Sequence, residues 1–430
     1  MFSLKKIFSL TCLAISLFLL IYTFYKSEIY WDGSQSNYYL PYYIISFILI
    51  IFSIFTFYLN SKTKEYLIIC LISIVVSLYA FEGYLFSKIY KIVTTYEKIT
   101  GEKFDTRTKL EIYKDLKQIN NKIQVTTGSI YHENNKLYAL SGVSNSKTIR
   151  CNENGYYSIY ESDRYGFNNP DNEWDKKKIE YLLVGDSFTN GYCVNRPNDI
   201  ASVLRNLSNK SVLNLGQGGN GPLTEYATLR EYLNPNVKKV LWIFYEENDF
   251  ENLDSELTNE VLKNYLNNLT FTQNLRSRQN EIDSLTKALI EREIEKNIKG
   301  DHFEFNFIKF IKIYNTRVLL MHQPQLKTQP QQKFKTILKL AKDLSKKNNS
   351  KLYFIYLPEY IRYKNNYSDN SYLEVKKIVN ELDIYFIDIH AEVFEKEENP
   401  LKLYPYGSNG HFNVEGYKKV AETIYRFTKD

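Results

Sequence analysis

Three long apolar runs lie before residue 90, and they constrain this chain more than any other feature. A helix that crosses a bilayer core about 30 Å thick needs roughly 20 apolar residues, and the first two runs have that length. Glu82 interrupts the third run, and we expect this residue near the membrane interface, where a carboxylate costs less than at the bilayer centre. The sequence therefore predicts a membrane segment, residues 1–87, with helices at about 7–25, 39–59 and 66–86.

A cleaved signal peptide is the alternative for the first run, because Lys5 and Lys6 precede it like the basic start of such a peptide. Cleavage requires small residues after the apolar stretch. Tyr22, Phe24 and Tyr25 are bulky at these positions, so we favour a retained helix.

The lysines near the predicted spans give a weak preference for a cytoplasmic N-terminus by the positive-inside rule. Four would then lie inside and three outside, namely Lys5, Lys6, Lys62 and Lys64 against Lys26, Lys88 and Lys91. Three spans in this orientation place everything after about Lys88 outside the cytoplasm. We therefore expect a multi-pass protein of the inner (cytoplasmic) membrane with an extracytoplasmic (periplasmic) domain.

The composition of the 430 residues, 44% hydrophobic and 24% charged, excludes a disordered chain. The net charge is only +6 and no basic stripe is present, so no nucleic-acid partner is expected. Cys12 and Cys70 lie in predicted spans, whereas Cys151 and Cys193 either form one disulfide, which an exported compartment permits, or remain buried thiols. The sequence has no CxxC and no Cys/His cluster at metal spacing, so neither a metal nor another cofactor is expected.

After a polar lead-in subdomain, residues 88–178, the chain alternates short apolar runs with amphipathic stretches. Apolar runs of this length suit strands covered on both faces, and the amphipathic stretches supply the covering helices. Residues 179–430 are therefore predicted to form a three-layer α/β/α domain with a five-stranded parallel sheet. The predicted strands are Tyr181–Val184, Ser211–Leu215, Val240–Tyr245, Leu352–Leu357 and Tyr385–Ile389.

About a hundred residues separate the third predicted strand from the fourth, and a connection that long must carry structure. We expect a helical insertion at about 252–345, which packs on the sheet or acts as a lid or a dimer contact. Apolar residues recur there at helical spacing, namely Ile282, Leu285, Leu289, Ile290, Ile294 and Ile298. A last helix is predicted from about Val414, with one apolar face formed by Val414, Tyr417, Val420, Ala421 and Ile424.

Polar residues follow several of the predicted strands, and the carboxyl edge of an open parallel sheet is where ligands bind. Strand one ends in a Gly-Asp-Ser sequence at 185–187, strand two in a Gly-Gly-Asn sequence at 218–220, and strand three in Glu-Glu-Asn-Asp at 246–249. A Gly-His-Phe-Asn sequence at 410–413 precedes the last helix. We therefore expect four polar elements to meet at one rim.

In this order and spacing, residues 160–428 resemble the SGNH (GDSL) hydrolase superfamily, whose four blocks carry Ser, Gly, Asn and His. The resemblance implies that Ser187 is the nucleophile and His411 the general base. It also implies an oxyanion hole formed by the backbone amides of Ser187 and Gly219 and the side chain of Asn248. An imidazole is needed because a free serine hydroxyl is a poor nucleophile until a base takes its proton.

Two positions depart from the family pattern. The usual Asp before the histidine is replaced by Ser408 and Asn409, so the base is oriented by Asn409, by the more distant Asp388 or Glu392, or by a backbone carbonyl in a Ser-His dyad. Glu246 stands where the family commonly has Gly, and we expect its charge to disfavour anionic substrates.

The other histidines, His132, His302, His322 and His390, lack partners at metal spacing and are interpreted as structural or solvated. His390 follows the fifth predicted strand and is the rival for the base.

The resemblance implies an esterase or acetyltransferase that acts on acyl esters, O-acetyl esters in particular, of envelope glycans or glycolipids, and the apolar runs add a membrane anchor. An acyl-donor-supplying membrane protein is a candidate partner. The contrasting hypothesis, suggested by the missing acid, is a catalytically inactive module that binds glycans or scaffolds an assembly. A phospholipase is a third interpretation, supported only by the membrane segment.

Overall fold

The computed structural model describes residues 4–300 apart from 32, 34 and 35, together with residues 310–321, 331–364 and 367–429. These residues form two compact units, one of residues 4–89 and 310–321 and the other of residues 90–300, 331–364 and 367–429.

The elements are numbered in chain order. The helices are α1 (Leu4–Phe24), α2 (Ser36–Thr56), α3 (Ser61–Thr100), α4 (Lys109–Ile119), α5 (Ser187–Asn190), α6 (Ile200–Ser208), α7 (Pro222–Tyr232), α8 (Asp249–Glu256), α9 (Glu260–Asn267), α10 (Gln279–Gly300), α11 (Tyr314–Met321), α12 (Gln331–Lys347), α13 (Asn370–Glu381), α14 (Ile389–Glu392) and α15 (Val414–Thr428). The strands are β1 (Ile123–Val125), β2 (Ile130–His132), β3 (Leu137–Ala139), β4 (Lys147–Ile149), β5 (Ile159–Glu161), β6 (Ile179–Val184), β7 (Val212–Asn214), β8 (Val237–Tyr245), β9 (Lys351–Leu357) and β10 (Tyr385–Asp388).

The first unit contains helices long and apolar enough to cross a membrane, at Ile7–Tyr30, Tyr38–Thr56 and Ser61–Thr100. Large apolar side chains such as Phe18 and Ile51 are exposed on them, which fits a lipid-facing surface. Three such helices fit a membrane anchor. The third is 40 residues long, well beyond the predicted 66–86, and its last turns belong to the second unit.

Glu82 does not stand exposed on α3. Its side chain is fully buried, and its carboxylate accepts hydrogen bonds from the backbone and side chains of Asn315 and Thr316 at 2.7–3.0 Å. These donors are at the start of α11, where free backbone amides favour a carboxylate. Part of the predicted insertion therefore folds with the N-terminal helices.

The second unit is built on a five-stranded sheet of order β7-β6-β8-β9-β10, and every pairing is parallel. All five predicted strands form. Successive side chains of β6 and β8 enter opposite cores: Leu182 and Trp242 face one layer, and Leu183 and Ile243 face the other. This two-sided burial explains why the strands appear as continuous apolar runs.

Helices cover both faces of the sheet and complete the predicted three layers. On one face α7 packs against α12, which places Ala227 and Phe334 in the core. On the other face α6 packs against α15, with Leu204 and Ile424 buried between helix and sheet. The last helix thus forms as predicted, except that Val414 is exposed.

The insertion packs on the body of the second unit where it is described. Ile282 of α10 joins the core that includes α7 and α12, and Ile294 packs on a small cluster in the lead-in subdomain. The amphipathic helix therefore covers apolar surface of this unit, whereas a role as a lid or a dimer contact stays a prediction. The side chain of Ile298 and residues 322–330 lie outside the described part.

The lead-in subdomain has its own small sheet, in which β4 pairs parallel with β1 and antiparallel with β5. Ile112 and Tyr113 of α4 pack there against Ile123 and Ile149. Strand β4 ends at Ile149, and residues 150–154 lie in the connection from β4 to β5.

Candidate active site

Ser187 lies where β6 leads through two residues into the short helix α5. Asp186 caps this helix, with its Oδ1 accepting the amide hydrogen of Phe188 at 2.9 Å. The serine is the first residue of the helix and is only 9% exposed. The strand, the cap and the helix fix its hydroxyl at the carboxyl edge of the sheet.

His411 lies just before α15, whose N-cap is Asn413. Its Nε2 is 2.9 Å from the Oγ of Ser187, which is hydrogen-bonding distance for a nucleophile and its base. The rings of Phe188 and Tyr192 lie 4.8 and 5.3 Å from the imidazole ring centre. The structure therefore brings together Ser187 and His411, as expected from the sequence. Aromatic side chains line the imidazole.

Glu153 occupies the position of the missing acid. Its Oε1 lies 3.0 Å from His411 Nδ1, and its Oε2 accepts the backbone N–H of the same histidine at 2.6 Å. This double contact fixes the ring and favours the tautomer that carries its proton on Nδ1. A side chain at Gly410 would place a Cβ 2.6 Å from Glu153 Oε2, so the carboxylate would have to shift from its present position.

The orienting residues considered from the sequence are elsewhere. Asn409 is exposed, and Asp388 accepts hydrogen bonds from Tyr372, Lys376 and the backbone of Ala391. Those expectations were wrong, because the carboxylate comes from the lead-in subdomain.

Glu392 is also engaged away from the base. Its carboxylate contacts the side chains of Lys396 and Arg426.

Contacts on both sides of Glu153 hold it in place. Arg150 is fully buried and donates to the carbonyls of Asn190, Gly191 and Val194 at 2.7–3.0 Å, in the segment that follows the nucleophile. Burial lowers the pKa of this guanidinium.

Cys151 is bonded to Cys193, so the soluble cysteine pair forms the disulfide that the sequence left open. Asn154 Nδ2 adds a hydrogen bond of 2.9 Å to the carbonyl of Cys193. The segment 150–154 is thus attached to residues 190–194, which follow Ser187, by the guanidinium of Arg150, the disulfide of Cys151 and the side-chain amide of Asn154.

A signal for Glu153 was present in the sequence. Cys193 is six residues after Ser187, and Cys151 is two residues before Glu153. A bridge between them brings Glu153 towards the serine, but the sequence alone did not decide between a disulfide and two thiols.

The three expected oxyanion donors lie at the same edge. Gly219 has φ +77°, a left-handed conformation that glycine adopts without strain, and is exposed in the loop after β7. Asn248 is at the N-cap of α8 but its side chain makes no cap hydrogen bond. Among the described residues, no acceptor takes the amide hydrogens of Ser187 and Gly219 or the Nδ2 of Asn248. These donors are free to meet a developing oxyanion.

Glu246 does not add the charge that its position suggested. Its carboxylate is buried and paired with the guanidinium of Arg362, whose Nε is 2.9 Å away. A buried ion pair presents less field to a substrate than a free carboxylate does, and the rejection of anionic substrates stays a prediction.

Buried carboxyl groups lie beneath the rim. Burial raises the pKa of Asp186 to about 6 and that of Glu256 to about 7. Burial and the charges of Asp249 and Asp186 raise the pKa of Glu225 well above its usual range. Glu256 accepts the amide hydrogens of Gly221 and Leu223 at 2.6 and 2.9 Å, and so supports the loop that contains Gly219.

The remaining histidines differ from His411 in their surroundings. His390, the rival base, has Nδ1 2.7 Å from the hydroxyl of Tyr363 and Nε2 3.4 Å from Glu395. His132 lies in β2, where burial lowers its pKa. His302 and His322 lie outside the described residues.

The disulfide and the histidine form one compact group. The ligand-type atoms of Cys151, Glu153, Cys193 and His411 all lie within 4.8 Å of one another. With the sulfurs bonded to each other, neither is available as a metal ligand.

No family model matches this chain, and no curated protein matches its sequence. Solved structures similar to it include a protein from Desulfitobacterium hafniense described as lipolytic and of the G-D-S-L family, at 15% identity and TM-score 0.32, covering 58% of this chain and 99% of that one. An acetylxylan esterase from Geobacillus stearothermophilus matches at 15% identity and TM-score 0.31, covering 59% and 97%. Another acetyl xylan esterase matches at 13% identity and TM-score 0.33, covering 58% and 99%. Because these identities and TM-scores are low, the function of this chain must be inferred from the geometry of the site.

Proposed function

We propose that this chain is a membrane-anchored serine ester hydrolase or acyltransferase of SGNH type. The observation that carries the proposal is the continuous hydrogen-bonded series from Ser187 Oγ through His411 to Glu153, with separations of 2.9 and 3.0 Å. A serine, an imidazole and a carboxylate in this order form the arrangement that activates a hydroxyl nucleophile on unrelated folds.

In the first step Ser187 Oγ attacks the acyl carbonyl while His411 Nε2 takes the hydroxyl proton. The imidazolium that results keeps its second proton on Nδ1, facing Glu153. This carboxylate stabilises the positive charge without accepting the proton. The side chain of Glu153 is only 28% exposed, so water screens that charge interaction weakly.

The oxyanion of the tetrahedral intermediate is placed against the free amides of Ser187 and Gly219 and the side chain of Asn248. Donors aimed at the developing charge stabilise the transition state more than the ground state. His411 then protonates the departing alcohol, which leaves an acyl group on Ser187.

The acyl-enzyme is resolved by water in a hydrolase and by a sugar hydroxyl in a transferase, with His411 acting as base again in either case. We propose an O-acetyl ester of an envelope glycan or glycolipid as the substrate class, which the motif resemblance favours. A transferase would need a donor, and a membrane protein that supplies acyl groups would provide it.

The proposed location is the inner membrane, with the N-terminus in the cytoplasm and the second unit in the periplasm. Three helices of spanning length and the lysine distribution support this topology. The Cys151–Cys193 disulfide supports it as well, because such bonds persist in oxidising compartments outside the cytoplasm.

The test is labelling of the full-length chain in detergent with a fluorophosphonate, followed by mass spectrometry of the modified peptide. We expect a label on Ser187 that is lost in His411→Ala and kept in His390→Ala, the rival base. A folded chain without a label would instead favour a catalytically inactive glycan-binding module.

Hydrolysis and transfer are separated by release of acetate from an acetylated glycan, measured with and without an acceptor sugar. A transferase should release less free acetate when the acceptor is present. Unchanged release would assign the chain as an esterase.

A further inference from the structure

The disulfide lies beside a histidine and a carboxylate, and once it is reduced these side chains together are of the types that bind a metal ion. His411 Nδ1 lies 3.0 Å from Glu153 Oε1 and 3.6 Å from Cys193 Sγ, and the sulfur of Cys151 belongs to the same group. Two cysteines, one imidazole and one carboxylate are ligands that Zn²⁺ takes in tetrahedral sites.

The spacing of these atoms agrees with such a site. Zinc binds sulfur at about 2.3 Å and nitrogen or oxygen at about 2.0–2.2 Å, so tetrahedral ligands lie roughly 3.3–3.8 Å apart. The four ligand-type atoms already lie within 4.8 Å of one another. The two sulfurs, now covalently bonded, have to separate, and any pair of ligand atoms farther apart than about 3.8 Å has to move closer.

The two cysteines stay near each other without the bond because other contacts hold their segments. Arg150 binds the carbonyls of Asn190, Gly191 and Val194, and reduction of the disulfide does not itself break these three hydrogen bonds because none involves sulfur. Asn154 Nδ2 donates to the carbonyl of Cys193 itself. The reduced thiols therefore remain at a preformed site.

We propose that reduction of the Cys151–Cys193 disulfide converts this corner into a zinc site formed by Cys151, Cys193, His411 and Glu153. A dithiol supplies two electrons and two protons to the sulfur–sulfur bond and is itself oxidised to a disulfide. Zn²⁺ then displaces the two thiol protons, which pass to solvent, and binds the two thiolates.

Zinc on Nδ1 changes the imidazole in a defined way. The metal takes the position that faces Glu153, and the remaining ring proton moves to Nε2. That nitrogen then has no lone pair for the hydroxyl proton of Ser187. This consequence rests on the proposed function, whereas zinc binding does not.

The experiment uses the full-length chain in detergent with the other two cysteines replaced, Cys12→Ser and Cys70→Ser. The protein is reduced with dithiothreitol, desalted without oxygen and exposed to Zn²⁺, and bound metal is measured by mass spectrometry. We expect one zinc per reduced chain and none per oxidised chain. Co²⁺ in place of zinc should give thiolate-to-metal absorption bands that only the reduced protein shows.

Variants assign the ligands. Cys151→Ser should abolish the Co²⁺–thiolate spectrum of a two-sulfur site, and His411→Ala should weaken zinc binding at least about tenfold. Glu161→Gln, an exposed glutamate of the same subdomain, is the matched control for Glu153→Gln and should bind zinc normally. Reduced protein that binds no more zinc than the Cys151→Ser variant overturns the proposal.

Fluorophosphonate labelling separates this proposal from the proposed function. Oxidised protein should label, reduced zinc-loaded protein should not, and a chelator should restore the label. If oxidised protein never labels, the esterase proposal fails while the zinc stoichiometry still decides the metal site.

Discussion

The sheet domain, predicted at residues 179–430, and the lead-in subdomain, predicted at residues 88–178, contribute to the site in different ways. The sheet domain provides Ser187, Gly219 and Asn248 from the loops that follow its strands and His411 from the segment before α15, and we propose these residues as nucleophile, oxyanion donors and base. The lead-in subdomain provides one carboxylate, Glu153, and the contacts of Arg150 and Cys151 that hold it. The sheet domain thus positions Ser187 and His411, whereas the orientation of the His411 ring depends on Glu153 of the lead-in subdomain.

The largest expected effect tests the sheet domain's part. Ser187→Ala should lower kcat for an acetyl ester by about 10⁵- to 10⁶-fold, because it removes the atom that attacks the carbonyl. Steady-state kinetics of the full-length chain in detergent measures this loss. Ser284→Ala, a substitution on the exposed side of α10, should leave kcat unchanged.

The next effect tests the lead-in subdomain's part. Glu153→Gln keeps the size of the side chain but cannot stabilise the imidazolium, so kcat should fall by about 10³- to 10⁴-fold. Glu161→Gln, exposed in the same subdomain, is the control and should retain activity. An active Glu153→Gln enzyme would show that Ser187 and His411 act as a dyad.

A smaller loss is expected at the oxyanion hole. Asn248→Ala removes one side-chain donor and should lower kcat by about 10²- to 10³-fold with little change in KM. Asn409→Ala, at an exposed asparagine near the base, should have no effect on either constant. Equal losses in the two variants would argue against an oxyanion role for Asn248.

The junction between the two regions should also matter for stability. Arg150→Met leaves three buried carbonyls without their donor and should lower the free energy of unfolding by about 3 kcal/mol. Guanidinium denaturation followed by the fluorescence of buried Trp242 measures the change.

Arg164→Met is the matched control for that junction. Arg164 is partly exposed and pairs with Asp171 and Asp175, so its loss should cost less than about 1 kcal/mol. An equal loss of unfolding free energy in the two variants would mean that the buried contacts of Arg150 do not join the lead-in subdomain to the sheet domain.

The smallest effect concerns pH. Burial raises the pKa of Glu256 from an ordinary value of 4.5 to about 7, so the folded state holds a proton that the unfolded state has lost between these values. The stability from this group is fully present below pH 4.5 and is lost as pH rises to 7, by up to about 3 kcal/mol.

Glu256→Gln should therefore flatten the dependence of unfolding free energy on pH between 5 and 7.5. Glu260→Gln, at an exposed glutamate on the next helix, should keep the wild-type slope. A wild-type slope in Glu256→Gln would show that other buried acids, such as Asp163 with its pKa raised by burial to about 6, cause the dependence.

Local patterns were sufficient for the sheet and for most of its rim. Five uninterrupted apolar runs became five parallel strands because strands covered on both faces need apolar residues at every position. The turns after those strands then placed Ser187, Gly219 and Asn248 at one edge. The apolar runs at the N-terminus likewise indicated the long helices of the first unit.

Patterns near the histidine were misleading. Asn409 and Asp388 were considered because they are near His411 or near a strand end in sequence, yet neither contacts the imidazole. The position of Glu82 at a membrane interface stays a prediction, and no local pattern indicated that donors at 315 and 316, over two hundred residues away, surround its carboxylate.

The sequence by itself determined the layered α/β domain and the long N-terminal helices, because each follows from apolar runs of residues close together in the chain. The proposed nucleophile–base pair came from the motif resemblance. Only the tertiary structure decided that Glu153 completes the site, that Arg362 neutralises Glu246 and that part of the insertion folds with the membrane helices. The physical reason is that a carboxylate's role depends on which donors surround it after folding, and here those donors come from distant segments whose pairing no local pattern records.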